Sequence, residues 1–204
     1  MQVLKQIALI SFTLAITTGC MTAEKFSVKP VGDRFSTHEG QMLRSEKNRI
    51  SSKSIAGGTH YDGKGVFMNP YVSKSKNGSP TSMGLMVIND TDFNTMAGAV
   101  NQLGSIKKAT FIINGQDKLV VNIEPLAPIH ADLPWYNSTG RYATRDKIEM
   151  GQMPLSKTQL SAIANARTIA CKLEGSRKSV TYNEGDITET FIPNIKAFYL
   201  SHIN

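Results

Sequence analysis

Trp135, Tyr136, Arg141, Tyr142 and Arg145 gather flat aromatic rings and forked guanidinium groups into a short stretch that holds the chain's sole tryptophan. That combination suits sugar faces, carboxylates or the centre of a protein interface, so these five are the candidate binding residues. The plainer account is that a long loop needs large side chains to pin it to the domain. The same stretch holds Asp132, Asp146 and Glu149, and Asp132 with either of the others would do acid and base work if folding brought the pair together. Cys171 is the one thiol outside the N-terminal segment. It falls between Ile169 and Leu173 on the inward face of a β-prone run, where it acts as a small hydrophobe and not as a nucleophile. His38, His60, His130 and His202 show neither the i, i+4 spacing nor the short-loop spacing of a metal site. Ser73/Lys76 and Ser105/Lys108 match Ser-x-x-Lys without the partner motifs that catalysis of that type needs. No catalytic residue, metal or cofactor is assigned.

The elements that must position these residues read as α+β: mainly an antiparallel β-sheet of hairpins with two or three short amphipathic helices packed on it. Val66–Val72 and Met83–Ile88 are β-prone runs joined by a loop at Lys76–Pro80. Asp90–Asp92 reads as the cap of a helix carrying Phe93, Met96, Val100 and Leu103, stopped at Gly104. Lys108–Ile113 and Lys118–Ile123 flank Asn114-Gly115, the strongest hairpin signal in the chain. Pro125–Pro154, with four prolines and no periodicity, reads as a long irregular connection. A helix over Leu155–Ala166 opens with a Ser156/Gln159 capping box. Thr168–Leu173 and Val180–Tyr182 form a further hairpin, Ile187–Ile192 a strand ending at Pro193, and a closing helix presents Ile195, Phe198, Tyr199 and Ile203. The pattern of helix, strand, turn and strand recurs at an offset of 60 residues, placing Ala109, Phe111 and Ile113 on Ile169, Cys171 and Leu173.

At the N-terminus Lys5 precedes an apolar run from Ile7 to Ile16, followed by Thr17-Thr18-Gly19-Cys20. The run is too short for a bilayer span, which needs roughly 20 apolar residues. Residues 1–20 resemble the signal peptide and lipobox of bacterial lipoproteins, with Thr17 standing where leucine is commonest in that family. The resemblance implies cleavage after Gly19 and acylation of Cys20, and two or three acyl chains hold a protein on a membrane durably. Met21, in place of an aspartate, resembles the outer-membrane-sorted pattern. The expected organisation is a signal peptide over 1–19, a lipidated cysteine with flexible tether over 20–63, and one globular domain over 64–204.

The 204-residue chain carries a net charge of +7. Its cations are dispersed, which fits a solvated face in an envelope setting and excludes a dedicated nucleic-acid groove. With Cys20 consumed by lipid, Cys171 has no intramolecular disulfide partner, so stability must come from the core. These features lead to the expectation of a lipid-anchored cell-envelope lipoprotein, on the outer membrane facing the periplasm, acting as a non-enzymatic binding or assembly accessory. Its partners would be the membrane, through its N-terminal acyl chains, and another envelope protein or a cell-wall component. The alternative is a cell-envelope hydrolase or transferase using residues of the 125–154 loop.

Overall fold

A computed structural model describes residues 25–31, 40–60, 63–94, 100–137, 139 and 142–204, with the backbone path alone for 92–94, 129–137 and 142–146. Among the described residues the larger sheet is built from β1 (Ser27–Val31), β2 (Gln41–Glu46), β3 (Arg49–Ser51), β4 (Gly65–Lys74), β5 (Pro80–Asn94), β8 (Glu124–Asn137) and β9 (Tyr142–Pro154). Its order is β1-β2-β4-β5-β9-β8, with β3 also paired to β4. A second sheet has the order β11-β10-β6-β7, from β6 (Ile106–Ile113), β7 (Asp117–Asn122), β10 (Ile169–Gly175) and β11 (Ser179–Tyr182). Helices α1 (Lys157–Ala164) and α2 (Phe191–His202) pack against each other, and α2 also meets β4. Every pairing between these strands is antiparallel, so the α+β expectation holds, with two α-helices among the described residues.

One continuous apolar core joins the layers. Met68, Val72, Leu85 and Val87 of the larger sheet share it with Phe111 and Cys171 of the smaller sheet, and with Leu160, Ile163, Ile195 and Phe198 of the helices. The sheets meet at Gly151, where an added Cβ would lie 2.4 Å from Ile123 Cγ2; only a residue without a side chain lets β9 pass so close to the corner. The chain turns that corner at Ile123, leaving β7 in one sheet and entering β8 in the other.

Local signals explain several elements directly. Asn114 and Gly115 adopt φ of 53° and 74°, the positive pair that a tight hairpin turn between β6 and β7 requires. The Ser156 hydroxyl accepts from the Gln159 backbone while the Gln159 side chain accepts from the Ser156 backbone, opening α1. The expected loop at Lys76–Pro80 joins β4 to β5.

Four expectations are corrected. The described residues of the helix expected over Asp90–Leu103 are not helical: β5 continues as strand to Asn94, paired with β9 from Gly84↔Pro154 to Asn94↔Thr144, while residues 95–99 lie outside the described residues. Cross-strand pairing overrides the local cap signal there. Pro125–Pro154 is not irregular but makes the long hairpin β8–β9; β8 is an edge strand, where Pro125, Pro128 and Pro134 can lack a donor without breaking an interior ladder. The segment expected as a tether contributes β1, β2 and β3, and its Ile50 is fully buried, because Val28, Leu43 and Ile50 all find core contacts. Ile187–Ile192 is not a strand: a single 3-10 turn (Glu184–Asp186) leads to α2, whose first turn accommodates Pro193 because its N–H needs no partner there.

The 60-residue offset acquires a geometric meaning in the smaller sheet. β6 and β10 are neighbours with Ala109↔Leu173, Phe111↔Cys171 and Ile113↔Ile169 in register. A half-turn about the Phe111/Cys171 pair therefore exchanges hairpin β6–β7 with hairpin β10–β11. In the first copy the described residues of the helical half are not helical: Phe93 lies in β5, Val100 is exposed and Leu103 is buried.

Candidate binding surface and its foundations

The backbones of Trp135, Tyr136, Tyr142 and Arg145 come together at the far end of hairpin β8–β9. Trp135 pairs with Thr144, Tyr136 with Ala143, Asn137 with Tyr142, and Arg145 with Phe93 of β5. Arg141 lies outside the described residues, as do the side chains of the other four. β4 stops pairing with β5 at Gly65↔Asp90, so beyond that point β5, β9 and β8 continue as a three-stranded extension. Residues that the sequence spreads along an expected loop are thus carried on the end of a sheet.

The base of this extension is fixed by a buried polar cluster. Asn89 and Thr91 of β5 stand directly opposite Glu149 and Lys147 of β9. Glu149 is 3% exposed. Its Oε2 accepts from Leu103 N at 2.7 Å and from Asn89 Nδ2 at 2.8 Å, and its Oε1 accepts from Gly104 N at 2.9 Å. Lys147 Nζ donates to Gln102 Oε1 at 2.8 Å and stands 3.9 Å from Glu149 Oε1. A buried charge with this many donors is held as an anchor for the 100–104 turn.

That turn is tied on its other sides as well. Ser54 Oγ donates to Asn101 Oδ1 at 2.6 Å, Arg177 N donates to Leu103 O at 2.8 Å, and Lys178 Nζ donates to Val100 O at 2.9 Å. Gly104 has φ of 82°, and a Cβ there would lie 2.3 Å from Ser176 Oγ. Asn89, Gln102 and Lys147 escape sequence reasoning because their partners are 12 to 60 residues away. Glu149, by contrast, is prominent in the sequence as an acid or base, and the structure uses it as a structural acceptor.

Elsewhere, α1, α2 and the 3-10 turn enclose an open groove of about 650 Å³. Ile187, Ile192 and Ala197 contribute apolar walls, and Arg167, Glu189 and Lys196 supply charge. Thr168 Oγ1 donates to Glu184 Oε1 at 3.0 Å across one end. No periodicity marks this groove, because it is made by a helix start, a helix end and a turn brought together in space.

Cys171 is buried in the core as expected, and burial pushes its thiol far above the usual range, which removes thiolate chemistry. Lys108 of the Ser105/Lys108 pair is engaged by Glu174 at 2.9 Å. His202 packs on Phe198 with ring centroids 5.0 Å apart. His60 N donates to Ser52 O at 2.7 Å, whereas His38 and the side chains of His130, Asp132 and Asp146 lie outside the described residues. Among the described residues no group of three or more His, Cys, Asp and Glu is arranged to hold a metal ion, and no helix is long and apolar enough to cross a membrane. No protein-family model matches the chain, and no curated protein or solved structure matches it either.

Proposed function

We propose that this chain is a lipid-anchored lipoprotein of the bacterial cell envelope, a binding or assembly accessory held by acyl chains on Cys20 at the periplasmic face of the outer membrane. The address rests on the apolar run and Gly19-Cys20. The observation that carries the accessory role is the engagement of Glu149: this buried carboxylate of the 125–154 segment spends both oxygens on holding the 100–104 turn. That weighs against its use as an acid or base with Asp132. It leaves the end of hairpin β8–β9 as the surface for a partner, with Trp135 and Arg141 as the residues whose replacement tests it.

The address and the surface are tested separately. Globomycin treatment is expected to accumulate uncut precursor; unchanged processing overturns the address. Cross-linking in the native envelope is expected to capture a partner that the double variant Trp135→Ala/Arg141→Ala loses while keeping its melting temperature. Loss of stability with full retention of the cross-linked partner would assign these residues to pinning the hairpin and overturn the surface.

A further inference from the structure

Strands where a tether was expected alter how the domain would meet its membrane. β1 begins at Ser27, seven positions after Cys20, and the paired strand β2 follows from Gln41. Seven Cα steps reach at most about 25 Å. An anchor on Cys20 therefore keeps the start of β1 close to the headgroups and selects which side of the domain faces them.

That side is basic. Val28 and Leu43 pack inward on the core, so alternation places Lys29, Arg44 and Glu46 on the outer face of the β1–β2 ribbon. Within 25–31 and 40–49 the cations are Lys25, Lys29, Arg44, Lys47 and Arg49, against Glu46 alone. Lys29 and Arg44 stand directly opposite each other in register. Like charges so placed repel. Glu46 offsets only part of this, accepting from Lys29 Nζ at 2.6 Å, and the ammonium beside it holds its carboxyl below the usual carboxylate range. Lys47 and Arg49 extend the row, with their cations 5.8 and 5.5 Å from the centre of the Phe67 ring.

We infer that the outer face of the β1–β2 ribbon is a membrane-apposed surface that takes acidic phospholipid headgroups of the leaflet holding the anchor. This rests on the lipoprotein reading and adds an orientation to it. Negative headgroups would relieve the Lys29/Arg44 repulsion, and each cation brought within a Debye length, roughly 8 to 10 Å, contributes about five-fold to surface affinity.

The test uses the full mature lipidated chain in vesicles of pure phosphatidylcholine or of phosphatidylcholine with one quarter phosphatidylglycerol. Amine labelling is read lysine by lysine by mass spectrometry. On the acidic vesicles, labelling of Lys25, Lys29 and Lys47 is expected to fall about three-fold or more. Lys118 and Lys172, exposed on the smaller sheet, are expected to stay unchanged. Molar salt should abolish the difference. In the variant Lys25→Gln/Lys47→Asn, the response of Lys29 labelling to vesicle charge should weaken, and asparagine at 47 suits the positive φ of 63° found there. A lipidated, vesicle-bound chain whose Lys25, Lys29 and Lys47 label as fast as Lys118 and Lys172 overturns the orientation alone. An unmodified Cys20 overturns it together with the anchor.

Discussion

Replacing Glu149 by glutamine keeps the side chain's shape but removes the charge and turns one of its two acceptors into a donor that faces N–H groups. A loss of about 3 kcal/mol in chemical denaturation is expected, since hydrogen bonds to charged groups contribute about 1.5 to 3 kcal/mol each. Hydrogen exchange at the Leu103 and Gly104 amides should accelerate well ahead of the rest of the molecule. Protection that stays unchanged at those two amides would show that other ties hold the turn. His202 gives a second, pH-dependent test. Burial, followed by repulsion from Lys74, holds its imidazolium below the usual 6.5, so the unfolded chain takes up this proton more readily than the folded one. Stability present above that value is lost as pH falls through it toward the folded-state value. The melting temperature should drop between about pH 7.5 and pH 5.5, and His202→Gln should shrink the drop. At this scale the sequence is a fair guide where a residue's neighbours are local: the alternation around Cys171 places it in the core. It misleads at Glu149, whose donors come from a turn more than forty residues away.

Short elements with their own stereochemical signals are legible, and long pairings are not. Ser156→Ala removes half of the reciprocal cap of α1 and should cost about 1 kcal/mol of stability in thermal or chemical unfolding. A value near zero would mean that α1 is held by its contact with α2 alone. The Asn114-Gly115 turn is equally readable, and Asn114 also acts beyond its own hairpin, because its Oδ1 accepts from Arg167 N at 2.7 Å and clamps the link between α1 and β10. The half of β5 beyond Ile88 and the strands β8 and β9 stay hidden because each is stabilised by partners distant in the chain, and because Asn89–Asp92 and the prolines of β8 carry local signals for other conformations. Four of the five candidate residues over 135–145 therefore share one hairpin end, as their proximity in the chain suggests, but on strands and not on a loop. The groove between α1 and α2 has no local signal at all.

On the scale of the whole molecule, two sheets and a helix pair share one core, and the sheets touch where β9 has no side chain. Gly151→Ala would drive a methyl group against Ile123 at the corner where the chain changes sheets. Overpacking of this kind costs about 1 to 3 kcal/mol, visible as a lowered midpoint in denaturant; no shift would mean that the sheets can slide apart freely. The outer strands of the assembly differ in kind. β8 carries Pro125, Pro128 and Pro134, and β1 carries Pro30, whereas β7 and β11 carry none. Pyrrolidine rings cap a sheet margin against recruitment by neighbouring chains. Under heat stress or overproduction, intermolecular strand addition should accordingly start at the smaller sheet's bare margins, where Val120 is half exposed. A single proline or lysine introduced into β7 at a solvent-facing position would then delay fibril or particulate growth without touching the extension that carries Trp135.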